Sequence, residues 1–258
     1  MAATKVISNA LSFIPQGYLF GLTMSTAGSS ATMSIAAGIA ADSTGTRLMK
    51  LGATMAKTTS AWAAGTAAGG LDTGAIANST WYHFFEIMNP ATGAVDVVFS
   101  ATATPANGPT TLPTGYTLFR RIGAGKTNGS AQWTSFIQYE DEFLWLTPVI
   151  DSSAITASTT AISKALTVPT GVKIWAKFNG LLVSSGNYVH FYALDRGTQA
   201  SSATTNFSLA CGVTSQQSAS DFAIRTDTSA QIGIVCNNAT GSYYISTHGW
   251  IDTRGRNT

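Results

Sequence analysis

The chain has 258 residues, enough for one large β domain or two ordinary ones, and only 10% of them are charged, against a usual share of about 25%. A net charge of +2 with scattered Lys and Arg gives no basic field for a nucleic-acid backbone. Two cysteines, Cys211 and Cys236, are too few for a disulfide scaffold or a zinc site, and no run approaches the ~18 apolar residues of a membrane span.

Nucleic-acid binding, membrane insertion and a bound cofactor therefore lie outside the expectation. The opening MAATKVISNALSFIPQGYLF has one lysine and a broken apolar run, unlike a secretory signal. Residues 1–16 are expected to form an N-terminal arm.

From Tyr18 the pattern is β. Tyr18, Phe20, Leu22 and Met24 share one face of an alternating run, and Met33, Ile35, Ala37 and Ile39 repeat it. Asp42 to Gly45 reads as a turn. Short strands are expected over 47–51 and 55–62, with a helix over 47–57 as the competing reading, followed by a Gly/Ala-rich loop over 63–77. Trp81 to Met88 (WYHFFEIM) is an aromatic strand, and Asn89-Pro90-Ala91-Thr92-Gly93 turns it, with Pro90 fixing φ and Gly93 free to take a positive φ. Val95, Val97 and Phe99 then alternate with Asp96, Val98 and Ser100, which predicts one buried face and one mostly solvated face. Thr102 to Pro113 is a loop.

Leu112 to Trp145 closes the first unit. Tyr116 to Phe119 reads as a strand, Gly123 to Ser130 as a glycine-rich loop, Gln132 to Tyr139 as a second strand, Glu140-Asp141-Glu142 as a turn, and Phe143 to Trp145 as a last strand. The composition then shifts to LTPVIDSSAITASTTA, a Ser/Thr/Ala-rich linker by content. Further strands are expected from Ile162 onward. Ile174, Ala176 and Phe178 alternate with Trp175, Lys177 and Asn179, and Asn179-Gly180 reads as a turn. Tyr188 to Leu194, Phe207 to Val213, Phe222 to Arg225, Ile232 to Cys236 and Tyr243 to Thr247 follow, with Trp250 to Thr253 last. The predicted architecture is all-β: a first β-sandwich over 17–147, a linker over 148–160 and a second, jelly-roll-like sandwich over 161–258.

Motifs with chemical promise fail on spacing. Gly123-Ala124-Gly125-Lys126-Thr127 resembles the end of a phosphate loop, but Arg120 stands where that pattern needs glycine. Glu140-Asp141-Glu142 lacks the spaced ligands of a calcium loop and is expected to be an acidic turn facing water. Asp195, Asp221 and Asp227 show no pairing by spacing. His83, His190 and His248 lie in or beside aromatic strands and belong to no metal or nucleophile motif. No catalytic, metal-binding or cofactor-binding residue is expected, and the chain is not read as an enzyme. Cys211 and Cys236 are expected to be small buried strand residues, with a bridge as the alternative. Tyr188, His190 and Tyr192 share one strand face, and aromatics with polar tips suit a surface contact with sugar or protein. A subunit interface or a second core face is the competing reading.

Three groups of words resemble a recurring type of tailed-phage and prophage virion protein, described as tail-fibre-like. They are GYLFGLTMSTAGSSATMSIAAGIAADST (17–44) with SAWAAGTAAGGLDTGAIANSTWYHFFEIMNPATGAVDVVFS (60–100), then LPTGYTLFRRIGAGKTNGSAQWTSFIQYEDEFLW (112–145), and GWIDTRGR (249–256). TGYTLFRRIG and DEFLW are the most specific. The resemblance implies a β-rich homotrimeric appendage on the virion. Its partners would be other phage virion proteins, and a host surface glycan or protein. A capsid decoration, head-fibre or collar protein without a receptor role is the alternative, and a polysaccharide depolymerase a third. No binding or catalytic residues come with the resemblance.

Overall fold

The computed structural model describes residues 14–184, 186–197, 200–201, 207–212 and 216–256. In chain order the strands are β1 (Leu19–Gly21), β2 (Met24–Ser25), β3 (Thr32–Ile35), β4 (Gly38–Ala41), β5 (Leu48–Leu51), β6 (Met55–Ala61), β7 (Ala68–Leu71), β8 (Trp81–Met88), β9 (Val95–Ser100) and β10 (Leu118–Lys126). They continue with β11 (Phe136–Tyr139), β12 (Glu142–Thr156), β13 (Ile162–Ala165), β14 (Trp175–Ser184), β15 (Asn187–Tyr192), β16 (Leu209–Cys211), β17 (Gln216–Arg225), β18 (Gln231–Cys236) and β19 (Ser242–Ile251). Two single 3-10 turns, Pro105–Asn107 and Leu194–Arg196, are the only helical pieces among the described residues. The fold is all-β.

The first half layers a three-stranded sheet, β1-β4-β5, near a seven-stranded one of order β10-β8-β9-β7-β6-β3-β2. The second half pairs a five-stranded sheet, β11-β12-β19-β14-β17, with a four-stranded one, β13-β18-β15-β16. The long alternating runs near the N-terminus break at corners. Tyr18 to Met24 splits into β1 and β2 in different sheets, with Leu22 at φ 55° between them. Leu22 and Met24 are buried while Phe20 faces out. The expected loop over 63–77 contains β7, which pairs in parallel with both β6 and β9.

Strand β8 is buried on both faces, which explains its unbroken aromatic content. Tyr82 and Phe84 pack with Phe99 on Trp133, ring centroids 5.1 to 5.8 Å apart. Phe85 and Ile87 pack with Val98 beneath Trp62, Leu112, Tyr116 and Phe119. The face of β9 expected to be solvated is therefore buried as well. Asp96 tolerates this because the Lys57 ammonium lies 2.6 Å from its carboxylate. The same ammonium also donates to the Ala63 and Gly65 carbonyls. The Asn89 to Gly93 turn forms as read, with Gly93 at φ 75° and its N–H donated to Asn89.

Three local readings are corrected. Residues 123–126 are strand, not loop: β10 runs through them with a bulge between Arg121 and Gly123. Glycine relieves crowding there, since a Cβ on Gly123 would come within 2.7 Å of Met24 Sδ and one on Gly125 within 3.1 Å of Met33 Cε. Asn179-Gly180 is mid-strand in β14, where Gly180 lies under Phe191 and Phe222. The expected linker over 148–160 is largely strand as well: β12 runs fifteen residues and pairs with β19 as far as Thr156. The two halves share one continuous core, reaching from Leu22 and Met33 through Phe143 and Trp250 to Phe191 and Ile234.

Cys211 and Cys236 are buried, unbridged strand residues. The residues of the expected arm, apart from 14–16, lie outside the described ones, as does Val213.

Candidate functional site at the junction of the two halves

The joint between the halves is built by Arg120 and Arg121 on β10, Asp141 and Glu142 at the start of β12, and residues 252–256. Arg121 grips Asp252 with both guanidinium nitrogens, Nη1 to Oδ1 and Nη2 to Oδ2 each at 2.7 Å. Its Nε donates to Nδ1 of His83 at 3.0 Å. All three side chains are buried. His83 must accept at Nδ1, so it is neutral. Burial and then the Arg121 charge push its pKa down to about 3, against the opposing pull of Asp252 and the Thr170 backbone. Burial alone would raise Asp252, but Arg121 and the Arg254 backbone N–H hold its carboxyl below the usual range.

Arg254, at φ 56°, crosses into the first half. Its Nε donates to Ile122 O at 2.9 Å, and its Nη2 to Gly21 O and Leu22 O at 2.8 and 2.7 Å. Burial lowers its pKa to about 10, so it stays charged at neutral pH. Arg120 donates to Ala41 O at 2.8 Å and also to the carbonyls of Gln16 and Gly255. Fixed charge is thus solvated by backbone carbonyls at strand ends, as at Gly21 and Ala41, at the β10 bulge, as at Ile122, and outside the strands, as at Gln16 and Gly255. Beside these groups lies an aromatic box. Trp250 stacks on Phe143 at 5.1 Å, meets Trp145 at 5.0 Å and takes Trp81 edge-on at 5.4 Å.

The acidic turn does not simply face water. Glu140 takes φ 52° to close it, Asp141 pairs with Arg256, and Glu142 pairs with Lys177. The two most specific words of the sequence resemblance, TGYTLFRRIG and DEFLW, therefore meet a third, GWIDTRGR, in space at this one joint.

A cleft of about 510 Å³ opens beside it, with Arg121 and Asp252 at its base and Lys173, Trp175, Arg225 and Thr228 among its walls. Trp175 is 46% exposed. It sits opposite Arg225 across the β14–β17 pair. Lys173 Nζ and Arg225 Nη2 both reach Oδ2 of Asp195, at 3.5 and 2.5 Å. Arg225 Nε is enclosed and has no hydrogen-bond partner among the described residues. Of these residues the sequence reading weighed only Asp195, as an acid without a visible pair; Lys173 and Arg225 were passed over, and Trp175 was given no role. The available signal was Trp175 itself, a large aromatic on the outward side of the Ile174/Ala176/Phe178 alternation.

Tyr188, His190 and Tyr192 share a face of β15, as read, but lie apart from the cleft's lining. Tyr192 is buried and its ring lies over Gly233, where a Cβ would come within 2.3 Å of it. His190 stacks on Tyr192 at 5.5 Å. Burial, then the Arg196 charge, lowers its pKa. Tyr188 packs on Phe207 at 5.6 Å. Tyr192 is thus covered, whereas Tyr188 and His190 are half-buried. Ser208 Oγ lies 3.4 Å from His190 Nδ1 but accepts from the Phe191 N–H, and no acid orients the imidazole among the described residues. Asp221 bonds Asn179, and Asp227 caps its own turn. Among the described residues no three His, Cys, Asp or Glu side chains are grouped to hold a metal ion, and no helix is long and apolar enough to cross a membrane.

Comparison of the chain with protein-family models finds no match, and comparison with curated proteins finds none either.

Proposed function

We propose that the chain is a phage virion appendage protein, trimeric and fixed to the particle, whose outer surface meets the host. The observation that carries this is the convergence at the joint. Three of the words that resemble virion proteins supply the residues that tie the two halves together. Scattered words would signal little. Words that jointly build one buried ion-pair and carbonyl network describe a shared architectural part.

A stiff body suits such a role. A continuous fifteen-residue strand and a common core leave no free swivel between the halves. Large apolar side chains stand outside that core: Phe20 at 71%, Tyr139 at 73%, Leu146 at 63% and Ile150 at 72% exposed. In a trimer these supply contact area, and three sites on one rigid body raise avidity over single-site affinity by roughly 10²–10⁴. Light scattering at micromolar concentration tests the assembly. The expected mass is three times the 26.8 kDa chain, and a monodisperse monomer would count against the proposal.

A further inference from the structure

The structure assigns a second role to the cleft at the joint: we infer that it binds a carboxylate-bearing saccharide, with Trp175 as the stacking platform and Lys173 with Arg225 as the carboxylate clamp. The inference rests on the appendage reading for its biological setting, but its chemistry stands on the side chains alone. Lys173 and Arg225 come from different strands or their approaches, yet meet at one oxygen of Asp195. Their spacing is already that of a site for a single carboxylate. Asp195 is mounted on a single 3-10 turn outside both sheets, so it occupies the clamp as an internal stand-in for a ligand's acid group.

Two cations share that one acid, so the cluster carries a net positive charge. A ligand carboxylate entering the clamp therefore meets surplus positive charge. Trp175 completes the pattern. Its half-exposed ring gives an apolar face on which the C–H side of a pyranose can stack. The cleft volume, about 510 Å³, suits one or two sugar rings within the usual range of ligand sites. Wall hydroxyls such as Thr228 offer hydrogen bonds to the sugar.

The test is calorimetric titration of the full chain with a glucuronate-containing disaccharide. Glucose disaccharides, acetate and inorganic phosphate serve as controls. The acidic disaccharide is expected to bind at least tenfold more tightly than any control. Trp175→Ala and Arg225→Gln are each expected to weaken it by tenfold or more. Both side chains are substantially exposed, so thermal melts should confirm intact folding. Asp195→Asn keeps the side chain's size but removes the charge that competes for Lys173 and Arg225, and is expected to tighten binding several-fold, an outcome that a merely structural acid would not produce. The inference is overturned if Asp195→Asn weakens binding or leaves it unchanged, if Trp175→Ala binds like the parent, or if phosphate binds equally well. Failure here with the chain still found on virions would remove the site and leave the appendage reading intact.

Discussion

At the scale of single residues, the joint is governed by charge taken out of water. A bidentate Arg–carboxylate pair in a buried place is strongly destabilising when one partner is removed, because the other is left uncompensated. Arg121→Met and Asp252→Leu are each expected to lower unfolding free energy in urea by about 3–5 kcal/mol. The double variant is expected to cost clearly less than the sum, since no orphan charge remains. Equal additivity would show that the pair does not couple.

Two buried titrating groups set opposing pH limbs. Glu86 is fully buried on β8, and neither of its oxygens makes a hydrogen bond of normal geometry among the described residues. Burial pushes its pKa up to about 9, over the lowering effects of the Leu51 backbone and the Arg120 charge. Its unfolded form ionises near 4.5, so stability falls as pH rises from there toward 9, by at most on the order of 1.4 kcal/mol per unit. His83 works the other way. Its folded pKa near 3 lies below the unfolded 6.5, so stability falls as pH drops through that window. Thermal melts should show greatest stability at roughly pH 5–6. Glu86→Gln is expected to flatten the alkaline limb and His83→Gln the acid one. An unchanged alkaline slope in Glu86→Gln would contradict the assignment.

At the scale of elements, local signals were readable and long-range ones were not. The WYHFFEIM strand and its Asn89–Gly93 turn follow from neighbouring residues alone. The Glu140–Glu142 turn was equally legible, but its partners Arg256 and Lys177 lie far along the chain and no local pattern points to them. The linker reading failed for a physical reason. The pairing of β12 with β19 is broken by register shifts between Leu144 and Val149, Ile150 and Ser152, and Ser152 and Ile155. Those irregularities erase the alternation, and what remains looks like Ser/Thr/Ala linker. Gly180 misled similarly: its lack of a side chain serves packing under Phe191, not a turn. Of the cleft, Trp175 was visible as an outward aromatic, but Arg225 becomes its neighbour only through the β14–β17 pair. Hydrogen exchange gives a direct check. The paired amides of Val149 to Thr156 are expected to exchange as slowly as those of β19, whereas linker amides would exchange at once.

At the scale of the molecule, residues 252–256 complete the first half as much as the second. Carbonyls of Gly21, Leu22 and Ile122 are satisfied by Arg254, and Arg120 by Gly255. The halves should therefore unfold together, and a rigid, sparsely charged body with exposed apolar groups fits an assembly that is finished in contact with other copies. The decisive measurement is antibody-gold electron microscopy of intact virions from a host that produces this chain. The account predicts label on a projecting appendage, at a copy number in multiples of three. Particles that carry no label while the chain stays free in the lysate would contradict it.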